Sequence, residues 1–121
     1  MKLISEKKYH KNYRKYSKDS RWRKFVFNNN YHKTGYSSFA FIIKCLINNE
    51  EIPFYFYPHP LSGVSKQEKK LIARKTGLDY RHVKLIELHF NGRSSDMLLE
   101  YSKYKDVVDI MNIGTHKDIF G

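Results

Sequence analysis

The amino-acid sequence predicts one α+β domain in which helices come first and an antiparallel β-sheet comes last. Two observations support this prediction. Apolar residues in the first half of the chain recur at helical spacing, and three segments between residues 82 and 116 have the composition of neighbouring strands. With 121 residues, 40% of them hydrophobic, the chain can bury a sizeable core and is too apolar for a disordered protein.

The first half of the chain contains two helical segments. Within residues 16–33, "KDSRWRKFVFN" predicts a short helix with Asp19 or Ser20 as its N-cap. A longer helix is predicted from about residue 36 to 49, because five apolar side chains share one face: Phe39, Ile42, Ile43, Leu46 and Ile47. Residues 1–15 are expected to form a basic N-terminal extension of the single domain.

The second half changes from one extended segment to a helix and then to strands. Two prolines flank His59 and exclude a helix there. An inserted helical segment is predicted at about residues 64–78, with Ser65 as its cap and Gly77 at its end. Three strands with short links follow and predict an antiparallel meander, at residues 82–90, 96–104 and 107–116.

Positive charge is concentrated near the N-terminus. Of the net charge of +11, residues 1–33 contribute +9, with eleven Lys or Arg residues against Glu6 and Asp19. Aromatic residues that could stack on bases are interleaved with these cations: Tyr9, Tyr13, Tyr16, Trp22, Phe25 and Phe27. We therefore expect a nucleic-acid partner, ahead of an acidic protein. The alternative is a solvated basic face whose aromatic residues lie in the core.

The sequence contains no recognisable membrane or export segment. No apolar run approaches 18 residues, and the first ten residues lack the apolar stretch of a secretory signal. The single cysteine, Cys45, lies in an apolar stretch and cannot form an internal disulfide, which favours a buried structural thiol. These features predict a soluble, cytoplasmic protein without a membrane partner.

Five residues are candidates for chemistry. Their order along the predicted meander would bring them to one face, since the end of one strand lies beside the start of the next: His59, His89, Asp96, His116 and Phe120. Taken singly, His59 also fits a turn residue, His89 a solvent-facing strand position and His116 the end of the last strand. One cysteine and six scattered histidines match no zinc-binding spacing, and there is no P-loop or dinucleotide motif. No metal site and no cofactor are predicted.

Two stretches of the chain resemble a known family. "CLINNEEIPFYFYPHPLSG" and the terminal "GTHKDIFG" are similar to the YafQ branch of the RelE/ParE bacterial toxins, and the resemblance extends from about residue 16 to the end. It implies a RelE-like fold and a metal-independent mRNA endoribonuclease that acts on the ribosome and is neutralised by an antitoxin. By position, it assigns the five candidate residues to the active site.

The implied chemistry needs proton transfer and charge stabilisation. RNA is cut when its own 2′-hydroxyl attacks the adjacent phosphate, and imidazole suits both proton steps near neutrality. We expect His59 to be the base, His116 the acid, Asp96 a residue that orients a histidine, and Phe120 a contact for a base. RNA phosphates are expected to be held by basic side chains, namely Arg21, Arg23, Lys24 and Arg93.

The sequence departs from the family pattern in two places. The family arginine before "GTH" is replaced by Asn112, so Arg93 is the remaining candidate for charge stabilisation at the phosphate. An insertion of roughly twenty residues precedes His89. It leaves His82 as a competing site histidine.

Two alternative functions stay open. The segment "EKKLIARKTGLDYRHVKLIEL" has the rhythm of a helix-turn-helix, with a turn at Gly77 and a second helix near Asp79, as in DNA-binding proteins. The chain could also be a degenerate RelE-like protein that binds an antitoxin or the ribosome without cutting RNA.

Overall fold

A computed structural model describes residues 1–61, 66–77 and 83–120 of the chain. Helices occupy five segments, α1 Lys7–Tyr16, α2 Ser20–Trp22, α3 Ser38–Ile47, α4 Lys66–Thr76 and α5 His116–Phe120. Strands occupy five others, β1 Lys2–Ser5, β2 His59–Pro60, β3 Leu85–His89, β4 Leu98–Tyr104 and β5 Val107–Gly114. No helix in the described part of the chain is long and apolar enough to cross a membrane.

The five strands form one mixed sheet in the order β1-β5-β4-β3-β2. The α+β class is confirmed, and β3, β4 and β5 form the predicted antiparallel meander. At one edge, the short strand β2 pairs antiparallel with β3 and sets His59 opposite Glu87. At the other edge, β1 pairs parallel with β5. The sheet is therefore purely antiparallel only from β2 to β5.

Residues 1–15 are an integral part of the fold. They form β1 and most of α1, which packs on β5, so the predicted basic N-terminal extension takes part in the sheet and in the helical layer. Three tyrosines of α1 share one face, because Tyr9, Tyr13 and Tyr16 follow the four- and three-residue spacing of a helix. Tyr16 is buried, and the other two pack against the core.

The main core lies between one face of the sheet and helices α1 to α3. It contains mostly aromatic and branched aliphatic residues, among them Trp22, Ile42, Phe56, Leu88, Phe90, Leu99, Ile110 and Ile113. Of the aromatic residues interleaved with the N-terminal cations, Tyr16 and Trp22 are buried in this core and the other four are partly buried against it, which favours the alternative in which they serve the core. The predicted α3 helix is confirmed, and the Ser37 side chain caps it by accepting from the Ala40 N–H.

The opposite face of the sheet is partly covered by α4. Ile72 of this helix packs with Leu85 and Met111 in a smaller apolar cluster. The same face buries two acids, Glu100 and Asp109, which are 1% and 3% exposed. The pKa of Glu100 is raised to about 8, mainly because the side chain is buried and to a lesser extent because Glu68 carries a negative charge nearby. Burial and a hydrogen bond to Glu6 raise the pKa of Asp109 to about 7.

Two sequence-based boundaries need correction. The Asp19 cap is confirmed. The α-helical hydrogen bonding ends at Trp22, and the chain then forms a π-helical turn over Arg23–Phe27. Strand β5 ends at Gly114, so His116 begins helix α5 and does not lie on a strand. The helix-turn-helix alternative needs a second helix where the structure has strand β3. The predicted cap Ser65 and the competing histidine His82 lie outside the described residues.

Candidate active site

The candidate site lies at the β2 edge of the sheet, where two strands present polar side chains to each other. Side chains alternate along β3, so Leu85, Glu87 and His89 share one face. The β2–β3 register places His59 directly opposite Glu87. The rings of His59 and His89 consequently lie with their centres 5.6 Å apart.

Glu87 is the centre of the site. Its side chain is buried, and its Oε1 atom faces three imidazole nitrogens. The distances are 3.2 Å to His89 Nε2, 3.5 Å to His59 Nε2 and 4.0 Å to His116 Nε2. A buried carboxylate is costly unless it is paired or hydrogen-bonded, and these imidazole nitrogens are the polar partners that the described residues place against Oε1.

The other ring nitrogen of each histidine is held by an oxygen acceptor. His59 Nδ1 donates to the Tyr57 carbonyl at 2.7 Å, and His89 Nδ1 donates to the Ser95 carbonyl at 2.9 Å. His116 Nδ1 pairs with the Asp96 carboxylate. Since a carbonyl can only accept, His59 and His89 carry a proton on Nδ1, and their Nε2 atoms are free to accept a proton.

Asp96 fixes the third histidine. Its Oδ1 also accepts from the His116 backbone N–H at 2.8 Å and so holds the first residue of α5 from two sides. Asp96 lies in the loop before β4, whereas the predicted strand began at this residue. The His116 side chain is 52% exposed, so it is the site imidazole that a large substrate reaches most easily.

The chain end is anchored to the first helix through Asp118. Its carboxylate accepts from the Tyr16 hydroxyl and from the backbone N–H and hydroxyl of Thr115. These hydrogen bonds outweigh burial and lower the pKa of Asp118, whereas burial and the same bond raise the pKa of Tyr16 to about 12. Gly114 has φ +150°, and a Cβ there would overlap the Asp118 carboxylate. The tail is therefore held in one place.

An aromatic ring and a cation flank the histidines. Phe120 is 53% exposed and nearly parallel to the His116 ring, with centres 6.1 Å apart. On the other side, the Arg93 guanidinium lies 4.5 Å from the centre of the Tyr57 ring, which itself lies 4.5 Å from the His59 ring. An exposed ring and a guanidinium at opposite ends suit a base and a phosphate.

The predicted phosphate-binding side chains differ in their distance from the site. Arg21 lines a cavity of about 240 Å³ together with Thr115 and Asp96, the carboxylate that holds His116. Arg23 and Lys24 are exposed on the following turn, and the described residues show no contact between them and the histidines. Of these three N-terminal cations, Arg21 is therefore the one nearest the site, in addition to Arg93 at its other end.

Comparisons with known proteins give structural neighbours only. No family model matches the sequence, and neither does any curated protein. A metal-bound toxin from Helicobacter pylori superposes with a TM-score of 0.63 at 18% identity, over 99% of this chain and 99% of its own. The YafQ toxin of the Escherichia coli DinJ–YafQ toxin–antitoxin complex gives 0.57 at 20% identity, over 98% and 96%. This chain has the YafQ toxin fold.

Asn112 takes a structural role within this YafQ fold. Its side chain is fully buried, and its Oδ1 accepts from Asn12 Nδ2 at 2.8 Å and from the Ile113 N–H at 2.9 Å. Its Nδ2 donates to the Asp118 carbonyl at 3.1 Å. Since both polar atoms have partners, the side chain at the position of the family arginine supports the tail and does not face a phosphate.

Glu87 is the site residue that the sequence analysis missed. The alternation of Glu87 with His89 along "LIELH" placed it on the same face, but an isolated glutamate in a strand usually points to solvent. The expectation that the chain offers no metal-binding group also needs correction. His59, Glu87 and His89 each present a ligand atom, and these atoms lie within 4.8 Å of one another.

Proposed function

We propose that this protein is a toxin that cuts mRNA at the ribosome in the cytoplasm and is held inactive by an antitoxin. One observation carries the proposal, namely that three imidazole Nε2 atoms converge on Glu87 Oε1 beside an exposed aromatic ring and an arginine. The fold adds support, because the superposed E. coli YafQ is the toxin of a toxin–antitoxin complex.

The proposed reaction is an internal transfer of the phosphate within the RNA. The 2′-oxygen of one nucleotide attacks the adjacent phosphorus, its proton passes to His59 Nε2, and the bond from phosphorus to the 5′-oxygen breaks. His116 Nε2 donates a proton to the departing 5′-oxygen. The products are a 2′,3′-cyclic phosphate and a 5′-hydroxyl, so neither water nor an external nucleophile is consumed.

Each neighbouring group has a part in this scheme. Asp96 orients His116 and stabilises its protonated form, while Glu87 does the same for the two strand histidines from within the sheet. Arg93 is the candidate for the negative charge that develops on the phosphate. Phe120 offers a face for the base beside the cut.

The antitoxin is expected to be acidic where it meets this chain. The exposed side chains of α1 and α2 include Lys7, Lys8, Lys11, Arg14, Lys15 and Arg21. An acidic peptide on this surface would compete with RNA phosphates, since both would neutralise the same cations.

A cleavage assay with a matched variant tests the proposal. Purified protein is incubated with mRNA, with and without ribosomes, and the new 5′ ends are mapped. We expect His116→Ala to lose about 10²–10⁴-fold in rate, whereas His10→Ala, which changes a histidine outside the site, keeps wild-type rate. A single 2′-deoxy nucleotide at the cut should also block cleavage.

The same assay can reject the proposed nuclease activity. Wild-type protein that binds ribosomes or an antitoxin but never cuts RNA would establish the degenerate binding protein instead. Unchanged cleavage by His116→Ala would remove this histidine from the reaction.

A further inference from the structure

A row of aromatic rings extends from the candidate site over the surface of the protein. Its inner member is Tyr57, whose ring centre lies 4.5 Å from that of His59. Its outer members are Tyr55 and His32, whose ring centres lie 5.6 Å apart. Tyr55 is 42% exposed, and His32 is exposed as well. We call Tyr57, Tyr55 and His32 the aromatic track.

The loop between β3 and β4 contacts both tyrosines of the track. The Tyr55 hydroxyl donates to Asn91 Oδ1 at 3.3 Å, and Gly92 lies against the same ring. The Arg93 guanidinium, from the same loop, lies over the Tyr57 ring. This loop therefore links the outer part of the track to the active site and adds a cation to it.

The backbone at both ends of the track is left-handed. The φ angle is +49° at Tyr57 and +43° at His32, and Lys33 follows at +59°. Bulky residues seldom adopt this conformation, and strain of this kind is concentrated at active sites and ligand-binding segments. Beside the track, the Phe54 side chain is 85% exposed. Grouped apolar rings in water are a feature of binding surfaces.

We propose that the aromatic track binds the single-stranded RNA that flanks the cut, with bases stacked on its rings. Every base has a face that can stack on an aromatic ring, so the track would bind RNA with little sequence preference. Each end also has an exposed cation that can hold a phosphate. Lys33 follows His32 at the outer end, and Arg93 lies over Tyr57 at the inner end.

RNA fits this surface better than an acidic peptide does. A peptide could pair with the two cations, but it has no row of planar bases to match the row of rings. The track meets the site at Tyr57, so one strand can lie on both at once. The inference rests on the proposed function, since the bound strand is the RNA that is cut.

RNA binding is measured first, without cleavage. Labelled, mixed-sequence oligoribonucleotides of two to ten nucleotides carry 2′-O-methyl groups throughout, so they cannot be cut, and their binding to the full chain is followed by fluorescence anisotropy. Wild-type affinity should rise with length. Tyr55→Ala should bind the longest RNA about 5- to 150-fold more weakly and the shortest like the wild type. His32→Ala should also weaken binding of the longest RNA, so the test does not depend on one variant.

Two controls separate base stacking from folding. Tyr55→Phe keeps the ring and loses only the hydroxyl that is bonded to Asn91, so it should bind RNA like the wild type. Tyr104→Ala removes a tyrosine at the end of β4 that is farthest from His89, and it should also bind like the wild type. Circular dichroism should show that all variants are folded.

Cleavage by the same variants then separates the track from the chemistry. Tyr55→Ala should be slower at limiting RNA and match the wild type at saturating RNA, because the track transfers no proton. Unchanged affinity of Tyr55→Ala and His32→Ala for every length would overturn the track, even if the wild type cuts RNA. If sedimentation showed that these variants lose only self-association, the rings would belong to an interface between two copies of the chain, and the proposal would fail. A wild type that binds long RNA through Tyr55 but never cuts it would confirm the RNA-binding surface and reject the nuclease.

Discussion

Replacing Glu100 by glutamine should remove a pH dependence of stability that is built into the sheet. Glu100 is 1% exposed beneath α4, and its pKa is raised to about 8, above the ordinary 4.5. The native protein therefore keeps a proton that the unfolded chain releases above pH 4.5. As the pH rises between these two values, ionisation of the unfolded chain is favoured and the free energy of unfolding falls.

The magnitude follows from the one proton involved. The expected slope is about 1.4 kcal/mol per pH unit, so the wild type should lose on the order of 3 kcal/mol between pH 5 and pH 7 through this group. Glutamine has the shape of the neutral acid and can still donate to Glu68, so Glu100→Gln should lack this loss. Near pH 8, where the native carboxyl ionises, the difference between the two proteins should stop growing.

Urea denaturation followed by tryptophan fluorescence measures this difference, with Trp22 in the core as the reporter. Curves are recorded at half-unit steps from pH 5 to pH 8.5 for wild type, Glu100→Gln and the exposed control Glu51→Gln. The other raised acid, Asp109, is present in all three proteins, so its contribution largely cancels. Parallel stability curves for wild type and Glu100→Gln would mean that Glu100 is ionised in the native protein and would refute the reasoning.

Three further variants test the proposed contacts with RNA. Phe120→Ala should weaken binding of a non-cleavable RNA by about 1–3 kcal/mol through lost stacking; unchanged affinity in a filter-binding assay would remove the ring from base contact. Arg93→Gln should slow single-turnover cleavage about 10²–10³-fold if it stabilises the phosphate, and an unaltered rate would exclude that role. The combined change of Arg21, Arg23 and Lys24 to glutamine should flatten the salt dependence of RNA affinity by about 0.7 per lost phosphate contact without moving the cut sites. An unaltered salt slope would mean that these cations do not hold RNA phosphates and only keep the protein soluble.

Local patterns were enough to predict the elements whose partners are near in sequence. The apolar face of α3 is visible in the spacing of Ile42 and Leu46, both buried. The strands of the meander follow one another closely and pair with their neighbours, so their order needs no long-range information.

The sequence analysis did not predict the elements whose partners are distant in the sequence. Strand β1 is four residues long and pairs with β5, more than one hundred residues away, and strand β2 has only two residues. Nothing in "KLIS" marks it as a strand without that partner. The role of Glu87 has the same origin, because the histidine that faces it from β2 is brought there by strand pairing.

The replacement of the family arginine by Asn112 shows why position alone is a poor guide to this site. The asparagine joins α1 to the tail by bonding to Asn12 and to the Asp118 carbonyl, and its own side chain is neutral. A cation is present on the other side, where Arg93 extends from the β3–β4 loop over Tyr57. A phosphate held between Arg93 and the histidines would then be neutralised from the β3–β4 loop, and not from the position before "GTH" that the resemblance implies. In the proposed reaction, the cation beside the phosphate would therefore come from the β3–β4 loop and not from strand β5, which carries Asn112.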